Sequence, residues 1–172
     1  DCAVASIAGV DARALTSAVE GFTGLEHALE PIAEIGGVRF VNDSKATNIE
    51  AAQRAIESFG RGLVVIMGGR FKSGDFSLLR EPLSSRDARV IAIGEATPLI
   101  ERALEGAAPV EPAATLQLAV ARAYELARAE GRDVVLLAPA CASFDMFRDY
   151  AERGQVFKKE VMKLVEDEKR ER

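Results

Sequence analysis

The segment Leu63-Val64-Val65-Ile66-Met67-Gly68-Gly69 (LVVIMGG) decides the fold class of this chain. An apolar run without alternation is typical of a strand that is covered on both faces, as in a parallel sheet. The two glycines that follow let the backbone turn sharply and approach a ligand closely. The segment therefore predicts the interior of a parallel sheet and, directly after it, a turn suited to ligand binding.

Strand-like and helix-like segments alternate on either side of this run. Apolar strands are predicted at residues 38–41, 90–94 and 134–137. Helices are predicted at residues 49–59, 97–104, 112–128 and 152–168, with a short helical turn over 143–150. Nearly all-apolar strands that alternate with helices predict an α/β fold, a Rossmann-like three-layer sandwich whose mostly parallel sheet carries helices on both faces.

Composition limits the class of protein. The chain has 172 residues, of which 48% are hydrophobic, and a formal net charge of −5, which suits one main domain. The acidic balance argues against nucleic-acid binding, because phosphate contacts need clustered cations. There is no run of about 18 apolar residues and no basic, apolar leader. A cytoplasmic protein that does not bind membranes is expected.

Neither a disulfide nor a metal centre is supported by the sequence. Cys2 and Cys141 form no CxxC or metal-ligand spacing, and a lone pair of cysteines in a non-secreted chain favours two buried thiols. His27 is the one histidine, so no His/Cys cluster suggests zinc.

The first residues differ in pattern from the rest. Residues 1–20 predict two short helices, with Asp11 as an N-cap, and residues 21–25 (GFTGL) resemble a linker. Two short helices cannot bury their own apolar faces. We therefore expect residues 1–24 to be the tail of a neighbouring domain with its linker, and residues 25–172 to form the main domain.

Candidate functional residues are expected at one edge of the sheet. In open parallel sheets, ligands bind beyond the carboxyl ends of the strands, where the strand-to-helix turns gather. This rule selects the turns at residues 42–47, 68–73, 94–95 and 138–143.

The first of these turns is rich in polar groups. Thr47 and Glu50 fit a capping box, which would start a helix whose free N–H groups favour an anion. Taken alone, Thr47 is more simply interpreted as a cap and nothing more, because such caps are common. Asp43 and Lys45 suit sugar hydroxyls and phosphate or carboxylate oxygens, although a surface ion pair is the simpler alternative.

The second and last turns complete the candidate site. Lys72 supplies a cation after the paired glycines, but the loop GGRFKSGDF is not a Walker A motif. Ser143 offers a hydroxyl in a loop of small residues. Cys141 is not expected to be a nucleophile, because nothing nearby in the sequence would lower its pKa. Together the turns suggest a small dicarboxylate or phosphate-bearing ligand.

Four motifs stand out in the sequence: FTGLEH at residues 22–27, NDSKATN at 42–48, GGRFKSGDF at 68–76 and PACASFDMFRDYAERGQVF at 139–157. They resemble the Mur ligase family of ATP-dependent amide ligases, in particular the C-terminal domain of its D-glutamate-adding members. The resemblance is weak between residues 80 and 132. The last motif argues against relatives that add a different amino acid.

The resemblance implies a reaction and a division of labour. ATP would phosphorylate the alanyl carboxylate of UDP-N-acetylmuramoyl-L-alanine, and the amine of D-glutamate would attack the acyl phosphate in peptidoglycan precursor synthesis. Mg²⁺ and the P-loop would belong to a central ATPase domain, of which residues 1–24 would be the tail. The fragment would be inactive alone, and the enzyme is expected to be a monomer.

The resemblance also assigns residues, by motif position. Thr47, Lys72, Ser143, the Phe144 backbone and Tyr150 would surround D-glutamate, with Lys72 as its positioning cation. Asp43, together with Lys45, would face ATP.

Two positions depart from the family pattern, and the role of the histidine needs an interpretation of its own. Ala28 stands where the family usually has a nucleotide-contacting arginine, and Phe71 where a small or acidic residue is more usual. His27 is interpreted as a hinge-region residue and not as an acid–base catalyst, because acyl-phosphate aminolysis depends mainly on positioning and charge stabilisation.

An alternative from another class is a stand-alone Rossmann-like module that binds a nucleotide or an acidic metabolite without catalysis. The DNA upstream of Asp1 distinguishes the two interpretations. A ligase predicts an upstream GxxGK[ST] loop, whereas an immediate start codon favours the module.

Overall fold

The computed structural model describes residues 24–171 together with Asp11 and Arg13. The prediction for residues 1–24 therefore falls almost entirely outside the described residues. The strands are β1 Glu30–Ile35, β2 Val38–Asn42, β3 Leu63–Gly68, β4 Arg89–Ile93, β5 Val110–Ala113 and β6 Val134–Leu137. The helices are α1 Ile49–Glu57, α2 Arg80–Ser85, α3 Thr97–Leu104, α4 Leu116–Glu130 and α5 Tyr150–Glu171, with a 3₁₀ turn at Phe76–Leu79.

The strands form one mixed sheet in the order β1-β2-β6-β3-β4-β5. Only the β1–β2 pair is antiparallel, and every other neighbouring pair is parallel. Strand β3 lies inside the sheet, with Val65 paired to Leu136 of β6 and to Val90 of β4. All its residues are buried. The unbroken apolar run thus reflects a strand covered on both faces, as predicted.

Helices cover both faces of the sheet. Because side chains alternate along a strand, Val65 and Met67 face one core with α1, α2 and α3, while Val64 and Ile66 face the other with α4 and α5. Each fully buried aliphatic side chain of this size contributes about 1.5–3 kcal/mol to folding. The predicted three-layer α/β sandwich with a mostly parallel sheet is confirmed.

The helix predicted from residue 112 was wrong at its start. Residues 110–113 form the edge strand β5, and α4 begins at Leu116, where the Thr115 hydroxyl accepts a hydrogen bond from the Leu118 amide at 3.2 Å. Pro112 is tolerated there because an edge strand can leave one side unpaired. The helix thus begins at the Thr115 cap, although the alanines before it at residues 113 and 114 also favour a helix.

Two further differences concern short elements. The helical turn predicted over 143–150 is an irregular series of turns, and α5 begins only at Tyr150. Strand β1, which the sequence analysis did not predict, joins β2 through Gly36 and Gly37, both with positive φ. Paired glycines between two strands are a hairpin signal that could have revealed it.

Candidate functional site

The four candidate turns lie together at the carboxyl edge of the sheet, as expected. Backbone hydrogen bonds join them: the Gly68 amide donates to Pro139 O at 2.8 Å, and the Gly69 amide donates to Ile93 O at 3.0 Å. The Ala140 amide donates to Ala46 O at 2.9 Å. The turns after β2, β3, β4 and β6 therefore form one connected surface.

Asp43 follows β2 and is almost fully buried, with 8% of its surface exposed. Its Oδ1 accepts a hydrogen bond from the Leu29 amide at 3.2 Å. Burial raises the pKa of this carboxyl, and the Leu29 amide and the nearby Lys45 ammonium oppose that rise. Lys45 itself is exposed, and its amide donates to His27 O at 3.0 Å. The turn thus presents a fixed carboxylate beside an exposed cation.

The predicted capping box at Thr47 was wrong. Asn48 is the N-cap of α1, because its backbone is extended and its Oδ1 accepts from the Ala51 amide at 2.8 Å. The amide of Thr47 donates to Lys45 O at 2.8 Å, one residue outside the helix. Asparagine caps at least as well as threonine, so the helix starts one residue later. The Thr47 side chain is consequently not needed as a cap.

The turn after β3 presents Lys72 to solvent. The Lys72 ammonium lies 5.5 Å from the centroid of the Phe144 ring, so the second and last turns meet at these two side chains. The ring of Phe71 lies 5.0 Å from that of Phe76 and packs against the core that includes residues of α1 and α3. Phe71 therefore anchors the loop before Lys72.

The turn after β6 carries the remaining predicted residues. Ser143 is 2% exposed, and its carbonyl accepts from the Met146 and Phe147 amides at 3.1 and 2.8 Å. Phe144 and Tyr150 are both exposed large side chains. Cys141 is a free, buried cysteine, and burial raises the pKa of its thiol to about 12. A thiol with that pKa is a poor nucleophile, as expected from the sequence.

Arg153 was not singled out by the sequence analysis, yet it holds two of the turns together. Its guanidinium is fully buried and donates to Ser44 Oγ at 3.0 Å, to Ser44 O at 2.9 Å and to Cys141 O at 3.1 Å. Burial lowers the pKa of Arg153 to about 10. An arginine on a charged helix is usually exposed, so the sequence pattern gave no signal that Arg153 is buried.

Asp145 links the last turn to the turn after β4. Its Oδ2 accepts from the Glu95 amide at 2.9 Å, and Glu95 pairs with Arg70 through two hydrogen bonds of 3.1 Å. The other oxygen, Oδ1, is buried and has no hydrogen-bond partner in the described part of the chain. The chain of contacts from Asp145 to Arg70 ends two residues before Lys72.

His27 is buried between β2 and α5. Its Nδ1 lies 2.9 Å from Asn42 Nδ2, and its ring meets that of Tyr150 edge-on at a centroid distance of 6.3 Å. Lys158 of α5 binds Glu26 at 3.1 Å and Glu30 at 2.7 Å on either side of it. The segment around His27 is therefore attached to this domain.

Within residues 24–171 and the two upstream positions, no group of three or more His, Cys, Asp or Glu side chains could hold a metal ion. None of the described helices is both long and apolar enough to cross a bilayer.

The fold and the site define a class. It is an α/β domain with a mostly parallel sheet, whose strand-to-helix turns carry a lysine, a buried serine, a threonine and exposed aromatic rings at the edge where such sheets usually bind ligands. The family model described as "Mur ligase, glutamate ligase domain" matches residues 29–141. The chain belongs to the Mur ligase family.

Curated relatives agree with this family. The chain is 51% identical over 158 residues to UDP-N-acetylmuramoylalanine–D-glutamate ligase of Acidobacterium capsulatum, covering 92% of this chain and 34% of that protein. It is 46% identical over 157 residues to the protein of the same name from Solibacter usitatus, covering 91% and 35%. The chain therefore spans about a third of the length of these relatives.

A solved structure is also similar. The folylpolyglutamate synthase of Thermotoga maritima aligns with a TM-score of 0.46 and 15% identity, over 76% of this chain and 31% of that one.

Proposed function

We propose that this chain is the amino-acid-binding domain of a ligase that joins D-glutamate to UDP-N-acetylmuramoyl-L-alanine at the expense of ATP. The observation that carries the proposal is the 40–51% identity to relatives that bear this ligase name, over most of the chain. The clustering of Lys72 with Phe144 at the carboxyl edge supports it, because a dicarboxylate needs a cation and hydrogen-bond donors there.

The reaction has two steps in this proposal. The alanyl carboxylate attacks the γ-phosphorus of ATP, which gives an acyl phosphate and ADP. The amine of D-glutamate then attacks the acyl carbon, an amide bond forms, phosphate leaves with the electrons of the broken C–O bond, and the amine loses a proton. Positioning of the amine against the acyl carbon is the contribution expected from a domain that binds the amino acid.

Each predicted residue has a task in that positioning. The Lys72 ammonium pairs with a carboxylate of D-glutamate, and the Ser143 hydroxyl and Phe144 amide donate hydrogen bonds to it. Because the Thr47 hydroxyl does not cap α1, it is available to contact the same ligand. Tyr150 closes the site from the start of α5. The exposure of Lys72, Phe144 and Tyr150 is consistent with a ligand that arrives from solvent.

The nucleotide side of the site consists of Asp43 with Lys45. A carboxylate that is held by the Leu29 amide suits ribose hydroxyls, and an exposed ammonium suits phosphate oxygens. Ala28 offers neither charge nor hydrogen bond from its side chain, so this proposal assigns it no contact with ATP. Magnesium would be held outside the described residues, and the site would operate in the cytoplasm, where ATP is available.

The experiment is a phosphate-release assay of the full-length gene product. Release should require ATP, D-glutamate and UDP-N-acetylmuramoyl-L-alanine together, and L-glutamate should not replace D-glutamate. The 172-residue chain alone should release no phosphate above background. Phosphate release that is independent of D-glutamate, or a failure of D-glutamate to be incorporated into the product, would contradict the proposal and favour a binding module without catalysis.

A further inference from the structure

Ser44 lies between the two residues of the first turn that are proposed to face the nucleotide, yet it has no exposed surface. Its hydroxyl donates to Tyr150 O at 2.7 Å and accepts from Arg153 Nε at 3.0 Å. Its amide donates to Asn42 Oδ1 at 3.1 Å, and its carbonyl accepts from Arg153 Nη2 at 2.9 Å. Every polar group of Ser44 is therefore used within the domain.

These contacts join three segments that are distant in sequence. Tyr150 begins α5, and Arg153 lies one turn further along the same helix. Arg153 also donates to Cys141 O at 3.1 Å, two residues before Ser143. The Ser44 hydroxyl consequently joins the turn after β2 directly to the start of α5 and, through Arg153, to the turn after β6.

We propose that Ser44 is a positioning residue that couples the nucleotide-facing turn, at Asp43, to the residues that hold D-glutamate, at Tyr150 and Ser143. The inference rests on the proposed function. Without the hydroxyl, the Tyr150 carbonyl loses one hydrogen bond and the buried Arg153 Nε–H loses its partner, and a buried guanidinium N–H is costly to leave unpaired. The start of α5 then shifts to regain solvent or another partner, and the Tyr150 ring moves with it.

Steady-state kinetics of the full-length gene product test the coupling. Ser44→Ala removes two hydrogen bonds and should raise the KM for D-glutamate and the KM for ATP together, each by about three- to tenfold, a change equivalent to the net contribution of about one hydrogen bond. Ser58→Ala is the matched control. The Ser58 hydroxyl also donates to a backbone carbonyl, that of Arg54 at 2.8 Å, but it lies at the exposed end of α1. Both of its KM values should stay at the wild-type level.

The outcomes separate coupling from stability. If Ser44→Ala lowers the Tm while both KM values stay within about twofold of the wild type, the hydroxyl has a merely structural role and the inference is overturned. If Ser44→Ala does not fold, Ser44→Cys carries the test, because a thiol of similar size remains a weak donor. It should then raise both KM values by a smaller factor, and unchanged values would equally refute the inference.

A parallel variant distinguishes this inference from the proposed function. Lys72→Ala should strongly raise the KM for D-glutamate or strongly lower kcat. If Lys72→Ala does so and Ser44→Ala leaves both KM values unchanged, only the coupling fails. If both Ser44→Ala and Lys72→Ala retain the wild-type KM for D-glutamate and the wild-type kcat, the coupling fails, and so does the assignment of D-glutamate to this edge of the sheet.

Discussion

The Lys72 ammonium lies 5.5 Å from the centroid of the Phe144 ring, so a cation from the turn after β3 and an aromatic ring from the turn after β6 are in contact. Lys72→Ala should raise the KM for D-glutamate or lower kcat by at least about tenfold, since a charge-assisted hydrogen bond to a carboxylate is worth about 1.5–3 kcal/mol. Initial rates of the full-length gene product measure both constants. Lys159→Ala, which removes an exposed lysine from α5, is the control. An unchanged rate for Lys72→Ala would refute its assignment.

Removing the ring tests the contact from its other side. Phe144→Ala leaves the Lys72 charge in place but removes its aromatic partner, so the KM for D-glutamate should rise by only about two- to fivefold, the equivalent of about 0.5–1 kcal/mol for an exposed cation–π pair. Phe144→Leu should behave like Phe144→Ala, because leucine restores bulk but no π face. Full rescue by leucine would show that bulk alone matters at this position.

The shifted start of α1 separates stability from binding at two adjacent residues. Asn48→Ala removes the cap and should lower the free energy of unfolding by about 0.5–2 kcal/mol, with little change in the KM for D-glutamate. Thr47→Ala should raise the KM for D-glutamate with little change in the free energy of unfolding, because Thr47 is not the cap and is proposed to contact the ligand. Urea denaturation of the 172-residue chain and kinetics of the full-length gene product measure the two effects. A large loss of stability in Thr47→Ala would contradict the assignment of Asn48 as the cap and favour the capping box at Thr47.

Gly94 tests the close packing beneath the site. A methyl group there would collide with Asp145 Oδ2 and lie 2.9 Å from the Gly69 Cα, whereas one at Gly106 would meet no atom within 4 Å. Both glycines have nearly the same positive φ, 71° and 73°, so alanine strains the backbone similarly at both positions. Gly94→Ala should therefore destabilise the chain by about 1–3 kcal/mol more than Gly106→Ala. Equal losses in urea denaturation would show that the contact has no cost.

The pH dependence of stability should reveal the ion pairs of Glu130 at the opposite edge of the sheet. Hydrogen bonds from Arg89, which has the larger effect, and from Arg132 lower the pKa of Glu130 from 4.5 to about 2. A lowered native pKa means that the carboxylate stabilises the fold fully above pH 4.5 and loses this effect as the pH falls toward 2. The destabilisation caused by Glu130→Gln should thus be larger at pH 7 than at pH 3. Glu101→Gln on α3, an exposed control, should have little effect at either pH.

The sheet could be predicted because its central strands carry their signal locally. The apolar runs of β3 and β6 are buried on both faces, and no other element explains such runs as simply. The edge strands β1 and β5 were missed because each contains a proline and has mixed polarity, which is what edge strands tolerate. Their place depends on neighbouring strands that are remote in sequence.

The site was predictable to the extent that the ends of parallel strands meet. That rule brought Lys72 and Ser143 to one edge without any knowledge of their contacts. The contacts of Ser44 and Arg153 were not predictable, because they depend on burial of a serine and of an arginine that the sequence does not distinguish from exposed ones. The cap was misjudged for a related reason: Thr47 and Asn48 are both good caps, and only the backbone conformation selects between them.

The buried Arg153 guanidinium bears on the thermodynamics of ligand capture. Because it binds the Ser44 and Cys141 carbonyls, the backbone of two turns is ordered as the domain folds, whether or not a ligand is present. A small molecule that meets ordered groups loses less conformational entropy on association than one that must first order a loop. The carboxyl edge is in this sense preorganised, and the entropic cost of arranging it belongs to folding of the domain.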